Sequence, residues 1–267
     1  MAQTHNTPDS HPDPRELPFV APCRTLDRRA PWRWLRRGWQ DFRHAPRQSL
    51  THGLIVVLLV ITIGHAAWRF GNLGLFLGLV SGFVFLGPVL ALGLYSISCQ
   101  LERGYEPRLG YCLREGRRNL GNVMVFAVIL LVVFLVWARA ASMVHVFFPV
   151  EADPHWRDLA VFLGVGSVVG AIFAAIVFAA SAFSLPMILD RKVDTITAVL
   201  TSVNAVRRNT GVMVLWAAII GVGVLVGLVT GGLGFALVIP VIGHATWHAY
   251  RETIVADDWP EQPELTP

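Results

Sequence analysis

Two histidines near the carboxyl end of the chain have a spacing that suits metal chemistry. His244 and His248 stand four positions apart, so on an α-helix their imidazoles share one face, as in sites for a divalent metal or a haem iron. His52, at the start of an apolar segment, is expected at a similar depth and is a candidate third ligand. No glutamate or cysteine completes a known motif, and the alternative is a set of polar residues at a membrane surface beside Trp247.

Other signatures of catalysis are missing from the sequence. It contains no G-x-x-x-x-G-K-[ST], no G-x-S-x-G, no H-E-x-x-H and no C-x-x-C. The sequence therefore predicts no catalytic residues and no enzyme activity. No cofactor is expected apart from the haem or divalent metal that the histidines suggest.

The elements that carry these histidines are long apolar runs. The chain is 54% hydrophobic and only 15% charged, against about 25% charged in ordinary soluble domains. Six runs come near or above the roughly 20 residues that a helix needs to cross a bilayer. They are Leu50–Phe70, Leu73–Ser98, Val123–Phe147, Leu159–Leu189, Val212–Thr230 and Leu233–Tyr250. The fold class predicted is all-α, a polytopic membrane protein with six transmembrane helices arranged as three hairpins.

The basic residues predict how the chain is oriented. All but three of the 22 basic residues fall on one side of these six spans, the exceptions being Arg69, Arg139 and Arg157. Basic residues accumulate on the cytoplasmic side, so we expect both termini in the cytoplasm. The high isoelectric point then reflects orientation rather than a nucleic-acid partner. The predicted organisation is a disordered cytoplasmic tail over 1–30, a membrane domain over 31–255 and a cytoplasmic tail over 256–267.

A repeated unit precedes the hairpins. The run from Arg117 to Gly121 resembles the run from Arg207 to Gly211, and each lies between an amphipathic stretch and a span. In the first unit the apolar stripe is Trp32, Leu35, Trp39 and Phe42. We expect each hairpin to follow a cytoplasmic amphipathic helix whose arginines face anionic lipid headgroups. The candidate lipid-facing residues are Arg36, Arg37, Arg117, Arg118, Arg207 and Arg208.

A second group of residues is typical of channels. Pro88, Pro186 and Pro240 lie in the second helix of each hairpin and are candidate hinges, although they equally predict simple packing kinks. Arg139 is the most deeply placed charge and is either an intramembrane functional group or a side chain that extends to the outer headgroups. No aspartate or glutamate lies inside the six runs, which disfavours ion-coupled transport.

Four stretches of the sequence resemble a known family. They begin at Trp34, Gly87, Leu189 and Gly243, and they read WLRRGWQDF, GPVLALGLY, LDR and GHATWHAYR. Over about residues 30–255 the chain resembles the bacterial integral membrane proteins of domain-of-unknown-function family 2189. The resemblance implies an inner-membrane protein whose biochemical role is not established. Some members carry the label putative cytochrome c oxidase subunit I, but this chain lacks that subunit's many spans, mid-membrane histidines and copper motif.

Three functions follow as hypotheses. The leading one is a non-enzymatic inner-membrane protein whose basic amphipathic helices bind anionic lipid headgroups or a membrane partner. The first alternative is a channel or passive small-molecule transporter, based on the prolines and Arg139. The second is a haem- or metal-binding accessory protein of a respiratory complex, based on His244, His248 and His52. The expected partners are the bilayer itself and either a second copy of the chain or another membrane protein.

Overall fold

The protein is α-helical throughout the part of the chain that the structure describes. A computed structural model describes residues 17–70, 90–108, 120–147 and 155–262. These ranges contain helices and two isolated β-bridges but no β-strand. The predicted all-α class is therefore confirmed. The helices are α1 (Ala30–His44), α2 (Pro46–Phe70), α3 (Leu92–Glu102), α4 (Leu120–Phe147), α5 (Trp156–Ser181), α6 (Ser184–Asp190), α7 (Thr195–Arg208), α8 (Thr210–Val229) and α9 (Phe235–Thr253).

Four helical segments in the described ranges are long and apolar enough to cross a membrane. They are Pro46–His65, Leu120–Val144, Leu159–Asp190 and Thr210–Val229. Their outer faces carry large apolar side chains, such as Leu58 and Val214 with 68% and 63% of their surface exposed. A continuous apolar surface of this kind suits hydrocarbon rather than water.

The six-span arrangement remains a prediction. Most of the predicted second span, Leu73–Ser98, lies outside the described residues. The predicted sixth span, Leu233–Tyr250, corresponds to α9, which is not among the four apolar candidates. Helix α9 is not apolar enough to be a candidate because its second half is polar. Other helices of the protein cover this half, so it is not exposed on the surface.

Helix α9 lies at the centre of the described structure. It packs against α1, α2, α3 and α8. Small residues allow these helices to approach closely. Gly38 of α1 contacts the α9 backbone at Val241 and Ala245, and Gly53 of α2 contacts the backbone of Ala236.

The buried face of α1 differs from the predicted stripe. Trp34, Gly38 and Phe42 are buried against the protein, whereas Trp32 and Trp39 are 60% and 43% exposed. Both sets recur with helical spacing, so periodicity alone does not choose between them. The structure selects the set that contains Gly38, because the absence of a side chain there allows α9 to approach.

The prolines and glycines mark helix breaks and turns. Helix α5 ends at Ser181 and α6 begins at Ser184, with Pro186 in the first turn of α6, where its missing N–H is tolerated. Pro240 lies inside α9, and Pro88 lies outside the described residues. Between α8 and α9 the chain turns at Gly231 and Gly232, which adopt φ of 65° and 94°, a conformation that suits residues without a Cβ.

The chain just before α1 is hydrogen-bonded to other parts of the protein. The backbone N–H of Ala21 donates to Thr201 Oγ1 at 3.0 Å, and that of Arg24 donates to the carbonyl of Thr253 at 2.8 Å. In return, the N–H of Val255 donates to the carbonyl of Pro22 at 2.9 Å. These bonds hold residues 21–24 against α7 and against the chain that follows α9.

Replacing Gly38 with alanine tests the close packing of α1 on α9. A Cβ at this position would lie 2.6 Å from Val241 O and from Ala245 N. Such overpacking costs about 1–3 kcal/mol, so we expect Gly38→Ala to lower the melting temperature of the detergent-purified protein. Gly64→Ala is the control, because a Cβ there meets nothing within 4 Å. Equal melting temperatures for the two variants would contradict the packing described.

Candidate functional site

His244 is a buried bridge between three helices. It lies on α9 with no exposed surface, and its Nε2 is 2.9 Å from Ser49 Oγ on α2. Its Nδ1 is 2.8 Å from Ser98 Oγ on α3. A neutral imidazole has one donor and one acceptor nitrogen, and a serine hydroxyl can take either role. Both ring nitrogens of His244 therefore have protein partners.

The other two predicted metal ligands face different partners. His248 Nε2 lies 2.8 Å from Asp41 Oδ2 on α1. His52 bonds through Nε2 to the carbonyl of Leu90. Among the described residues, no three or more His, Cys, Asp and Glu side chains form a group that could hold a metal ion. Metal or haem binding by these histidines stays a prediction, and it would require the imidazoles to break their bonds to the serines, to Asp41 and to Leu90.

Asp190 gathers three side-chain donors at the end of α6. Only 3% of its surface is exposed. Its Oδ2 accepts hydrogen bonds from Tyr250 Oη at 2.7 Å, Arg191 Nε at 3.1 Å and Arg251 Nη1 at 3.2 Å. Its backbone carbonyl accepts from the N–H of Gln262 at 3.0 Å. Asp190 therefore joins α6 to α9 through its carboxylate and to the chain beyond α9 through its backbone carbonyl.

Glu102, the last residue of α3, is a second carboxylate held by α9. It accepts from Trp247 Nε1 at 2.8 Å and from Arg251 Nε at 3.0 Å. Partial burial disfavours the charged form of Arg251, but the nearby Asp190 and Glu102 outweigh this cost and raise the pKa of the guanidinium. Arg251 thus remains a cation that links α3 to α6.

Glu252 fastens α9 to α1. Its Oε1 pairs with Arg33 Nη2 at 2.5 Å, and its Oε2 accepts from Trp34 Nε1 at 3.1 Å. Arg33 also pairs with Asp27 at 2.7 Å. The carboxylates of Glu252 and Asp27 accordingly raise the pKa of the Arg33 guanidinium.

The second half of α9 thus forms one polar centre, which we call the α9 hub. It binds α1, α2, α3 and α6 through side chains, and buried polar groups with satisfied bonds rigidify and specify a packing arrangement. Its bonds run between groups of the protein itself, so its evident role in the described structure is to hold helices together. The hub consists of His244, Trp247, His248, Tyr250, Arg251 and Glu252.

The predicted lipid-facing arginines lie outside this hub. Arg36, Arg207 and Arg208 are exposed, and Arg37 is exposed with its Nη1 3.9 Å from Glu252. Arg117 and Arg118 lie outside the described residues. The structure does not bring these arginines together with the three histidines.

Arg139 lies on the exposed surface of α4. Its neighbours on the helix, Leu135 and Val136, are also exposed, so this surface is the apolar outer face of the span. Both predictions for Arg139, an intramembrane functional group or a side chain that extends to the outer headgroups, stay predictions.

Several residues that build the site were not predicted from the sequence, among them Ser49, Ser98, Asp190 and Glu102. Ser49 and Ser98 carry no pattern of their own, because a lone serine in an apolar run is common. Asp190 does carry a signal, since it directly follows an apolar run and is followed by an arginine. Glu102 lies four positions beyond the end of the second run and is also followed by an arginine. A charge pair at the end of a span is a sign of interhelical pairing.

Spanning helices with apolar outer faces and a polar hub at one end define an integral membrane protein. Residues 75–190 match the model of the family described as predicted integral membrane protein (DUF2189), which confirms the resemblance inferred from the motifs. The matched segment contains Ser98, Glu102 and Asp190, three of the residues that α9 binds. No curated protein and no solved structure matches the chain.

Metal analysis tests the histidines directly. Because both nitrogens of His244 are bonded to serines, we expect detergent-purified protein to carry no stoichiometric metal and no haem Soret band. The same measurements on His244→Ala/His248→Ala provide the comparison. Stoichiometric metal or a Soret band in the wild type that is lost in the double variant would overturn this expectation.

Replacing Asp190 with asparagine tests the hub. The substitution keeps the size of the side chain but removes its charge and points an amide donor toward guanidinium donors. Removing one partner of a buried ion pair costs about 3–5 kcal/mol, so we expect a large fall in melting temperature. Asp258→Asn, in the exposed C-terminal segment, is the matched control and should melt like the wild type. A fall no larger than the control's would show that Asp190 is not a central contact.

Proposed function

We propose that the protein is a non-enzymatic inner-membrane protein that binds anionic lipid headgroups with the exposed arginines at the cytoplasmic ends of its helices. The observation that carries the proposal is the exposed face of α1. Trp32, Arg36, Trp39 and Arg43 follow one another at intervals of four, three and four residues, and all are exposed. Tryptophan and arginine on one helical face are typical of a surface at the headgroup level.

The position of α1 supports this assignment. Only Ala45 separates the end of α1 from the start of α2, whose apolar segment enters the bilayer. The opposite face of α1 is fixed by the hub, and Trp34 also packs edge-on against Trp216 of α8, with ring centroids 5.5 Å apart. The exposed face is thus held in place before any lipid binds, which lowers the entropic cost of binding.

The arginines fall into two groups with different partners. Arg33, Arg191 and Arg251 are paired with carboxylates in or beside the hub. Arg36, Arg43, Arg207 and Arg208 are exposed, and no carboxylate in the described ranges neutralises them. A lysine or arginine near an anionic membrane surface contributes about 1 kcal/mol of attraction. The second group therefore supplies the charge that lipid binding needs.

The chain ends support a cytoplasmic location for both termini. Residues 22–24 are hydrogen-bonded to Thr253 and Val255, so the beginning and the end of the described chain lie at the same end of the helices. This contact requires an even number of crossings between them. The accumulation of basic residues at that end favours the cytoplasmic side.

Lipid selectivity in proteoliposomes tests the proposal. We expect the full-length protein to associate with spin-labelled phosphatidylglycerol more strongly than with spin-labelled phosphatidylcholine, and the preference to shrink at high salt. Arg36→Gln/Arg43→Gln should weaken it, since each arginine supplies part of the attraction.

Arg139→Gln/Arg157→Gln is the control, because it removes the same charge from the predicted outer side. If the preference is absent, or if both double variants behave alike, the exposed arginines bind something other than lipid. An acidic membrane partner would then be sought by cross-linking from position 36.

A further inference from the structure

A cleft lies where the chain before α1 crosses the start of α8. It has a volume of about 460 Å³, within the range of small-molecule sites. Arg28 and Arg208 are the charged residues that line it, and Leu26, Val212 and Leu215 are its large apolar lining residues. We infer that this cleft binds one anionic phospholipid, with the headgroup phosphate between the two arginines and an acyl chain along the apolar lining residues. The inference rests on the proposed function and assigns one lipid of that surface to a defined site.

Asn209 holds together the two segments that form the cleft. Its Oδ1 accepts from the N–H of Leu26 at 2.9 Å, and its Nδ2 donates to the carbonyl of Arg24 at 3.1 Å. Nδ2 also lies 3.2 Å from the carbonyl of Ala205, so the buried amide has partners on both sides. These bonds fix the segment that carries Arg28 against the junction of α7 and α8, which carries Arg208. The two arginines are therefore brought to one cleft although they are far apart in sequence.

The charge of the cleft is not neutralised within the described protein. Arg28 and Arg208 are both exposed, and the structure gives neither of them an ion pair in those ranges. Asp27, the neighbour of Arg28, is paired instead with Arg33 and accepts from the N–H of Arg29. Two arginines that line one cleft, with no carboxylate among its lining residues, favour a phosphate oxyanion.

The apolar residues that line the cleft favour a phospholipid over a free anion. Val212 and Leu215 belong to the spanning segment Thr210–Val229, so they continue from the arginines into the hydrocarbon layer. A phospholipid has the same order of parts, with a charged phosphate followed by apolar chains. Inorganic phosphate would leave the apolar lining residues without a partner, whereas a phospholipid contacts them as well as the arginines.

Titration with short-chain lipids tests the site. The full-length protein in a neutral detergent is titrated calorimetrically with dihexanoyl phosphatidylglycerol, dihexanoyl phosphatidylcholine and inorganic phosphate. We expect saturable one-to-one binding of phosphatidylglycerol, tighter than binding of the other two. Arg28→Gln/Arg208→Gln should weaken it by about tenfold or more, because two charge-assisted contacts are lost. Both side chains are exposed, so the variant should keep the wild-type melting temperature, which is measured alongside.

Arg139→Gln/Arg157→Gln is the matched control, since it removes two exposed arginines outside the cleft and should leave this affinity unchanged. Equal weakening in both variants would overturn the site, as would phosphatidylcholine binding as tight as phosphatidylglycerol. Phosphate binding as tight as phosphatidylglycerol would overturn the lipid assignment and indicate a free-anion site. If phosphatidylglycerol binds one-to-one in the titration but shows no preference in proteoliposomes, the proposed function alone is overturned. If the preference is present in proteoliposomes but the titration shows no one-to-one binding, the cleft site alone is overturned.

Discussion

The burial of the second half of α9 among α1, α2 and α3 is the constraint on which the rest of the described structure depends. This half carries histidine, tryptophan, tyrosine, arginine and glutamate side chains, whose polar atoms are costly to leave unbonded away from water. Ser49, Ser98, Glu102 and Asp190 supply the partners and so determine which helices must surround α9. The spans Pro46–His65 and Thr210–Val229 pack directly against α9, although lipid-facing residues by themselves specify no particular packing.

The hub also determines which arginines remain outside it. Arg33 and Arg251 are attached to glutamates, and their charge is balanced within the protein. The same packing turns Trp32, Arg36 and Arg43 outward on α1, because Trp34 and Gly38 occupy the inner face. On α1, Arg33 is thus paired within the protein, whereas Arg36 and Arg43 face outward and are the arginines proposed to bind lipid.

The sequence predicted helices better than it predicted contacts. Four of the predicted apolar runs correspond to helical segments long and apolar enough to cross a membrane, because helix formation in such runs follows from local chemistry. The partners of His244 are 146 and 195 residues away in the chain, and nothing in its own helix reveals two serines there. On α1, two apolar faces fit helical spacing equally well, and only the neighbour decides between them. Local patterns therefore predict which face is available, whereas tertiary packing determines what covers it.

The contact between α1 and α9 has a consequence for the order of assembly. Arg33 and Glu252 are separated by 219 positions, so α9 is synthesised long after α1, which it packs against. Until then α1 has its inner face, with Trp34 and Phe42, uncovered, and late long-range contacts of this kind slow folding. In the meantime that face can bind the headgroup layer, because an amphipathic helix is stable there. During synthesis, α1 would thus lie on the bilayer surface until α9 has been made and covers its inner face.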